Sequence, residues 1–249
     1  MTTENAGKRI IVALDKRVLS KVLPHVQELA GTGCGFKVRG SLLRQEKTGD
    51  VVGSFGAFGA SVFADVKLND IPKSMAEDAG ELFDDRVRII TVMAASGIEA
   101  MKAAVGAKMD PTDEVLAVTV LTSFSDTSCE HTFGASVEAK VKMFAADALK
   151  AGVDGIVCSP KEAAMLRACR EFDPLSINTP GIRPAWAAPA GQTRFTTPGQ
   201  AIEAGADRLI IGDPIVNPPK EIGDSRAAFT MICNEITNAL LKREMGSKS

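Results

Sequence analysis

The stretch Ser61-Val-Phe-Ala-Asp65-Val-Lys67-Leu-Asn-Asp70-Ile-Pro72 joins an apolar run to three charged residues and to a proline that opens a predicted helix. The apolar run predicts a buried strand. Alternate side chains of a strand point to the same face, so Asp65 and Lys67 emerge together. Asp70 follows just past the strand end. Unpaired charge is costly to bury, so this strand end indicates a functional site, with a surface ion-pair cluster as the alternative.

The same strand-then-helix pattern extends along the whole chain. Short runs rich in Val, Ile and Leu predict eight strands: Ile10–Leu14, Gly35–Val38, Ser61–Val66, Arg88–Val92, Val115–Val120, Gly155–Val157, Leu175–Asn178 and Arg208–Ile211. Amphipathic stretches between and after them predict helices: Leu19–Leu29, Met75–Leu82, Glu99–Val105, Val137–Leu149, Lys161–Arg170 and Arg226–Leu241. This alternation is typical of parallel βα units, and eight of them predict a closed (β/α)8 TIM barrel.

The length of the chain and the lack of an obvious linker favour one domain. A barrel of this type needs about 250 residues, and the chain has 249. No linker or low-complexity tract divides it, so we expect a single barrel domain over residues 1–249, with flexible tails at 1–8 and 244–249. The longest irregular stretch, residues 179–197, follows the seventh strand, and a loop of that length is usually functional.

Composition excludes several classes of protein. The formal net charge is −2, aromatic residues make up 5% of the chain and tyrosine is absent, which argues against nucleic-acid binding. No apolar run approaches membrane-spanning length, so we expect no membrane partner. The five cysteines form no CxxC pair, which suits a reducing cytoplasm and offers no zinc site.

Polar residues collect at the predicted carboxyl ends of the strands, where active sites of such barrels lie. They are Asp15 after the first strand, Lys37 on the second, Asp65, Lys67 and Asp70 on the third, Thr122 and Ser125 after the fifth, Pro180, Arg183, Gln192 and Arg194 after the seventh, and Gly212 and Asp213 after the eighth. Any one of them has a plausible capping or solvated role. Their convergence on one face of the barrel favours a functional site.

These segments resemble the orotidine 5′-phosphate decarboxylase family over essentially the whole chain. The matching pieces are Ile-Val-Ala-Leu-Asp15, Phe-Lys37-Val, Asp65-Val-Lys67-Leu-Asn-Asp70-Ile-Pro, Val-Thr-Val-Leu-Thr122-Ser, Thr-Pro180-Gly-Ile-Arg183-Pro and Gly-Ala-Asp-x-x-Ile-Ile-Gly212. The Asp-x-Lys-x-x-Asp-Ile-Pro element is highly specific when it follows a strand. The order of the other pieces is also that of the family.

The resemblance implies an enzyme without metal or organic cofactor that converts orotidine 5′-monophosphate to uridine 5′-monophosphate and CO₂ in pyrimidine biosynthesis. In that chemistry the Lys67 ammonium stabilises and then protonates the carbanion at C6. Asp65 lies against the departing carboxylate, and Lys37 and Asp70 complete an alternating array of charges. The resemblance also implies a cytoplasmic homodimer in which Asp70 and Ser74 reach the neighbouring subunit's ribose site.

The remaining implied substrate contacts are distributed over the barrel mouth. The full substrate-binding set is Asp15, Ile71, Ser74, Thr122, Ser125, Pro180, Arg183, Gln192, Gly212 and, as a departure from the family, Asp213. Thr122 and Ser125 match positions that line the pyrimidine. Arg183, Gln192 and the Gly212 amide match positions that hold the phosphate.

Asp213 stands where the family usually has an arginine that grips the phosphate. A carboxylate there repels a dianion, and one lost charge-assisted hydrogen bond is worth about 1.5–3 kcal/mol. A second, smaller departure follows Lys37, where Arg39 precedes Gly40 and the family commonly has the glycine one position earlier. A third lies in the segment that begins at Met93, where the family commonly has His-Ala-Ser-Gly. These departures concern substrate affinity and identity, and they leave the carbanion chemistry intact.

Three other functions remain as alternatives. A decarboxylase of the 3-keto-gulonate 6-phosphate type uses a similar barrel with Mg²⁺, although the Asn69–Pro72 ending favours the cofactor-free reaction. An aldolase with Lys67 as a Schiff-base nucleophile is disfavoured, because flanking carboxylates keep a lysine protonated. The third is a catalytically inactive barrel that binds sugar phosphates, in which Asp213 would be the sign that catalytic function has been lost.

Overall fold

Eight parallel strands are hydrogen-bonded in sequence order and close into a barrel in a computed structural model that describes residues 3–187 and 196–246. They are β1 (Ile10–Leu14), β2 (Gly35–Arg39), β3 (Val62–Leu68), β4 (Ile89–Met93), β5 (Glu114–Val118), β6 (Gly155–Val157), β7 (Ser176–Thr179) and β8 (Arg208–Ile211). The predicted TIM barrel is confirmed. The predicted bounds of β1, β6 and β8 agree at both ends, and the other five strands differ by one or two residues.

Helices follow the strands and cover the outside of the barrel. In the described residues they are α1 (Thr3–Gly7), α2 (Leu23–Leu29), α3 (Gly40–Glu46), α4 (Thr48–Gly56), α5 (Pro72–Asp84), α6 (Ile98–Gly106), α7 (Asp126–Phe133), α8 (Val137–Ala151), α9 (Pro160–Arg167), α10 (Pro198–Glu203), α11 (Asp213–Val216) and α12 (Ser225–Gly246). Short 3-10 turns occupy Leu19–Lys21, Ala94–Ser96, Arg170–Phe172 and Ala185–Ala187. None of the described helices is both long and apolar enough to cross a membrane.

The barrel interior has an apolar middle layer. Ile11, Ala13, Phe63, Leu116 and Ile210 pack together inside the strands, separate from the larger core between strands and helices. Because side chains alternate along a strand, the neighbouring positions face the helices. The middle layer therefore separates the two ends of the barrel interior from each other.

The amino-terminal end of the barrel is closed by a polar network. Arg208 on β8 donates from Nη1 to Glu114 Oε1 on β5 at 2.9 Å and from Nε to Asn178 Oδ1 on β7 at 2.7 Å. Its Nη2 also donates to Ser176 Oγ at 3.2 Å. Because these charged groups are paired with one another across three strands, they stabilise this end of the barrel.

Within the segments 1–8 and 244–249, where flexible tails are expected from the sequence, the described residues 3–7 and 244–246 belong to helices. Helix α1 packs against α12, and Ala6 is buried there. A Cβ atom on Gly7 would lie 2.2 Å from the Thr32 carbonyl oxygen, so the backbone at Gly7 passes very close to the backbone at Thr32. Helix α12 continues to Gly246. Composition indicated polar ends, and it could not reveal these long-range contacts.

Candidate active site

A cavity of about 310 Å³ opens at the carboxyl-terminal end of the barrel. Its floor is the apolar middle layer, represented by Ala13, Phe63 and Ile210, with Val118 and Val157 beside them. Its wall carries seven of the residues predicted from the sequence: Asp15, Lys37, Asp65, Lys67, Thr122, Pro180 and Gly212. The strand ends therefore bring an apolar surface and a set of charges to one small space.

Four of these residues form a continuous charged cluster: Asp15, Lys37, Asp65 and Lys67. Lys37 Nζ lies 3.1 Å from Asp15 Oδ1 and 3.1 Å from Asp65 Oδ2. Lys67 Nζ lies 2.5 Å from Asp65 Oδ1. The inner side chains are nearly buried, with Lys37 8% and Asp65 14% exposed, whereas Lys67 is 40% and Asp15 52% exposed. Lys37 and Asp65 are therefore enclosed by the barrel, whereas the side chains of Lys67 and Asp15 are accessible from solvent.

Asp65 remains a carboxylate within this cluster. Burial alone acts to raise the pKa of Asp65, but the charge of Lys37 and the hydrogen bonds from Lys67 and Lys37 outweigh it and hold the pKa below its ordinary value. Two cations therefore stabilise a single partly buried anion. Near neutral pH the site presents a fixed negative charge directly beside the Lys67 ammonium.

The end of β3 departs from regular strand geometry where it carries Lys67. The pairing of β3 with β4 shifts register between Ala64 and Leu68, and Lys67 has a left-handed backbone, with φ of 51°. Irregularities of this kind turn a side chain in a new direction. Here both Asp65 and Lys67 line the cavity, so the distortion accompanies the pairing of their charges.

Three predicted residues do not line the cavity: Asp70, Ile71 and Ser74. Pro72 occupies the first turn of α5, and Ile71 before it is extended, with φ of −65° and ψ of 157°. Ile71 is 65% exposed. Asp70 Oδ1 accepts a hydrogen bond from the Ile71 amide at 2.7 Å. Among the described residues Asp70 has no ion pair, so in this part of the chain the charged cluster ends at Lys67.

The β5–α7 connection divides its predicted residues between two cavities. Thr122 lines the central cavity and also an adjoining one of about 660 Å³. Ser125 lines only the adjoining cavity, and its side chain caps α7 by accepting from the Ser128 amide. Ser125 therefore has a structural bond in addition to its predicted contact with a pyrimidine.

The predicted phosphate side is only partly described. Gly212 lines the central cavity. Arg183 lies beyond Pro180, and its Nη1 donates to the Ala187 carbonyl at 3.0 Å. Gln192 and Arg194 lie outside the described residues.

Asp213 begins helix α11 at the rim of the barrel. Its Oδ1 accepts a hydrogen bond from Asn217 Nδ2 at 3.0 Å, and the residue is exposed. It shares a small cavity of about 150 Å³ with Lys16, Asp15 and Gly212. Lys16 was not among the predicted site residues, and it places a positive side chain close to the carboxylate that replaces the family's arginine.

Sequence reasoning also missed Thr91 on β4, which lines the central cavity. Its Oγ1 donates to Asp65 Oδ1 at 3.1 Å and accepts from the Lys67 amide at 2.9 Å. The available signal was a single hydroxyl residue inside an apolar strand.

In the described part of the chain, no group of three or more His, Cys, Asp or Glu side chains is arranged to hold a metal.

A parallel barrel with ammonium and carboxylate groups alternating at its carboxyl end defines a class of TIM-barrel proteins that act through fixed charges. The model of the orotidine 5′-phosphate decarboxylase / HUMPS family matches residues 8–227, and the chain belongs to that family.

Individual relatives agree with this assignment. Orotidine 5′-phosphate decarboxylase of Rhodopseudomonas palustris (strain BisB5) is 39% identical over 93% of this chain and 95% of its own length. The enzyme of that name from Synechococcus sp. (strain WH7803) is 37% identical, with coverage of 95% and 98%. The crystal structure of orotidine 5′-phosphate decarboxylase from Lactobacillus acidophilus superposes with a TM-score of 0.75 at 29% identity, covering 91% of this chain and 98% of that one.

Proposed function

We propose that this protein decarboxylates orotidine 5′-monophosphate to uridine 5′-monophosphate and CO₂, without a metal or an organic cofactor, in pyrimidine biosynthesis. The observation that carries the proposal is the charged cluster, in which Lys67 is held beside the anionic Asp65 above an apolar floor. The name shared by relatives 37–39% identical to the chain supports the same reaction.

Lys67 has the central role in this reaction. Loss of CO₂ breaks the bond at C6 of the pyrimidine and leaves its electron pair on that carbon. A fixed ammonium beside C6 stabilises the pair as it develops and then donates the proton that forms the C6–H bond. Lys67 suits this role because its ammonium is already held at Asp65, and 40% of its side chain remains exposed to an incoming ligand.

Asp65 acts on the substrate carboxylate and on Lys67 at once. Its own carboxylate stays ionised because Lys37 and Lys67 hold its pKa down. A substrate carboxylate placed next to it meets a like charge, and that repulsion is relieved when CO₂ departs. Lys37, bonded to both Asp15 and Asp65, keeps the inner anion paired before and after the reaction.

The rest of the cavity orients the substrate. The apolar floor accommodates the pyrimidine face, with Thr122 at its edge, and Asp15 with Lys37 binds a ribose hydroxyl. Pro180, Arg183, Gln192 and the Gly212 amide hold the phosphate, and Ser125 approaches the base when the site is filled. This assignment rests on the family pattern and on the position of Gly212 at the cavity wall.

We further propose a homodimer of single-domain subunits, with Asp70, Ile71 and Ser74 serving the site of the neighbouring subunit. Two features support it: Asp70 lacks an ion pair within the described part of its own subunit, and Ile71 is a large apolar residue that is 65% exposed. The five free cysteines suit a reducing compartment, so we place the dimer in the cytoplasm, with no nucleic-acid or membrane partner.

The test follows the near-ultraviolet absorbance of orotidine 5′-monophosphate with enzyme freed of metals by a chelator. We expect the absorbance to fall with wild-type protein and to stay constant with Lys67→Ala. Lys73→Ala is the matched control, because Lys73 is an exposed lysine at the start of α5 whose ion pair is with Glu77 on the same helix. Turnover that appears only after Mg²⁺ is added would instead favour a decarboxylase of the 3-keto-gulonate 6-phosphate type.

A further inference from the structure

One hydroxyl group connects the two reactive residues of strand β3. Thr91 lies on the neighbouring strand β4 and is 1% exposed. Its Oγ1 accepts a hydrogen bond from the backbone N–H of Lys67 at 2.9 Å. The same hydroxyl donates a hydrogen bond to the Asp65 carboxylate at 3.1 Å. Thr91 also borders the central cavity. It therefore touches the backbone of one residue and the side chain of the other.

The backbone of Lys67 needs such a partner. The shifted register between β3 and β4 interrupts the regular ladder at this point, and Lys67 has a φ of 51°, a region that non-glycine residues rarely adopt. An unpaired amide here would lack a hydrogen bond in a partly buried site. The Thr91 hydroxyl supplies the acceptor and so favours the conformation that turns Lys67 toward Asp65.

The polarity of the two bonds is also consistent. The Lys67 amide can only donate, so Thr91 Oγ1 accepts there with a lone pair. Its single proton is then directed to Asp65, where an ionised carboxylate is the best acceptor. Valine has the shape of threonine and can form neither bond, whereas serine can form both.

We propose that Thr91 is a positioning residue, which fixes the Lys67 ammonium against the Asp65 carboxylate in the geometry that decarboxylation needs. This inference rests on the proposed function and adds to it a residue that does not itself react. Displacement of a reacting group by about 1 Å costs on the order of 100-fold in rate. We expect a loss of that size in kcat for Thr91→Val, with KM changed by less than about threefold.

The matched control is Thr119→Val. Thr119 is likewise 1% exposed in the barrel wall, but its hydroxyl donates to the Val157 carbonyl at 3.0 Å, away from the charged cluster. We expect Thr119→Val to keep kcat within about threefold of wild type, and Thr91→Ser to recover kcat to within about fivefold. If Thr91→Val does not fold, Thr91→Ala takes its place with the same expected loss.

A second readout needs no substrate. Acylation of Lys67 by acetic anhydride, measured by peptide mass spectrometry relative to the exposed Lys73, reports how firmly the ammonium is held. We expect Lys67 to react at least threefold faster in Thr91→Val and at the wild-type rate in Thr119→Val and Thr91→Ser.

These measurements separate the two proposals. Absence of turnover in wild-type protein contradicts the proposed function, and the labelling of Lys67 still decides the role of Thr91. An unchanged labelling rate in Thr91→Val overturns the positioning role, whatever the activity. Equal losses of kcat in Thr91→Val and Thr119→Val would overturn it as well, since both would then reflect general damage to the barrel.

Discussion

At the scale of single residues, the site depends on how the charges of the cluster compensate one another. Lys37 is nearly buried and lies 3.1 Å from each of two carboxylate oxygens. Removing one member of such a buried set leaves another charge without its partner, which is more damaging than the loss of an exposed pair. The inner residues therefore maintain the cluster, whereas Lys67, whose side chain is 40% exposed, can meet a ligand.

The first prediction concerns Lys67→Ala. We expect kcat to fall by several orders of magnitude, because the ammonium acts mainly in the transition state. The dissociation constant of uridine 5′-monophosphate, which lacks the departing carboxylate, should change far less. Steady-state kinetics and a product-binding titration measure the two quantities. Equal losses in product binding and in rate would contradict the role assigned to Lys67.

The second prediction concerns Asp213→Arg. If a phosphate docks beside Gly212, an arginine there adds a charge-assisted contact, and we expect tighter substrate binding by roughly 10- to 100-fold. If the phosphate is held equally in ground and transition states, the rate constant at saturation should change little. Asn217→Ala is a control, because it removes the partner of Asp213 without adding a cation.

Affinity that is unchanged or weaker in Asp213→Arg would mean that this protein holds its phosphate differently from the family. The small cavity shared by Asp213 and Lys16 suggests one such arrangement. Lys16→Ala in the wild-type background would then weaken substrate binding, and the same change in Asp213→Arg would have a smaller effect.

Not every residue of the site could be predicted from sequence. Lys37, Asp65 and Lys67 were predictable because a charge at the end of an apolar strand is visible in a linear pattern. Thr91 was not, because its role arises from a register shift between two strands and from the left-handed backbone of Lys67. No property of residues 89–93 alone indicates which neighbouring atoms the hydroxyl meets.

At the scale of secondary-structure elements, strand β6 shows how closely the barrel wall is packed. A Cβ atom on Gly155 would lie 2.0 Å from Ser176 Oγ and 2.5 Å from the Ser176 carbonyl oxygen. Ser176 belongs to the polar network that closes the amino-terminal end, together with Arg208. A larger residue at position 155 therefore pushes against both the wall and the network.

The third prediction follows from this contact. We expect Gly155→Ala to lower the free energy of unfolding by about 1–3 kcal/mol or more, through overpacking. The matched control is Gly80→Ala in helix α5, where no atom lies within 4 Å of the new Cβ; it should stabilise the protein by about 0.5–1 kcal/mol. Urea unfolding followed by circular dichroism measures both. Wild-type stability in Gly155→Ala would contradict the packing described for β6.

The strands were easier to predict than the helices. All eight strands were found from their apolar runs, since strands of a parallel barrel are covered on both faces. Helix α4 was missed because Gly49, Gly53 and Gly56 resemble a loop in sequence. The predicted helix at residues 19–29 is divided into a 3-10 turn and α2. Proline is tolerated in the first turn of an α-helix and not in its interior, so α2 begins next to Pro24.

At the scale of the whole molecule, closure of the barrel brings together residues that are far apart in the chain. Asp15 and Gly212 line the same cavity because β1 pairs with β8. The eight-strand count predicted this closure before any contact was known. The homodimer stays a prediction, because a single chain shows that Asp70 and Ile71 are exposed and does not show what covers them.

The fourth prediction tests the shared site. Lys67→Ala and Asp70→Ala should each be inactive alone. Mixed in equal amounts and allowed to exchange subunits, they should recover about a quarter of the wild-type activity, since half of the dimers are hybrids and each hybrid has one intact site. Lys67→Ala mixed with Lys73→Ala is the control for mixing, because it should keep half of the wild-type activity with or without exchange; exchange itself is confirmed by isolating hybrid dimers that carry two different affinity tags. No recovery after confirmed exchange would assign Asp70 to its own subunit's site.

The most direct test of the central claim is the reaction of metal-free wild-type enzyme with orotidine 5′-monophosphate in D₂O, followed by nuclear magnetic resonance. If Lys67 protonates a carbanion at C6, its exchanged ammonium must deliver deuterium to that carbon. The account predicts uridine 5′-monophosphate with one deuterium at C6 for each CO₂ released, and no product from Lys67→Ala. Absence of product from the wild-type enzyme, or product formed only with added Mg²⁺, would contradict it.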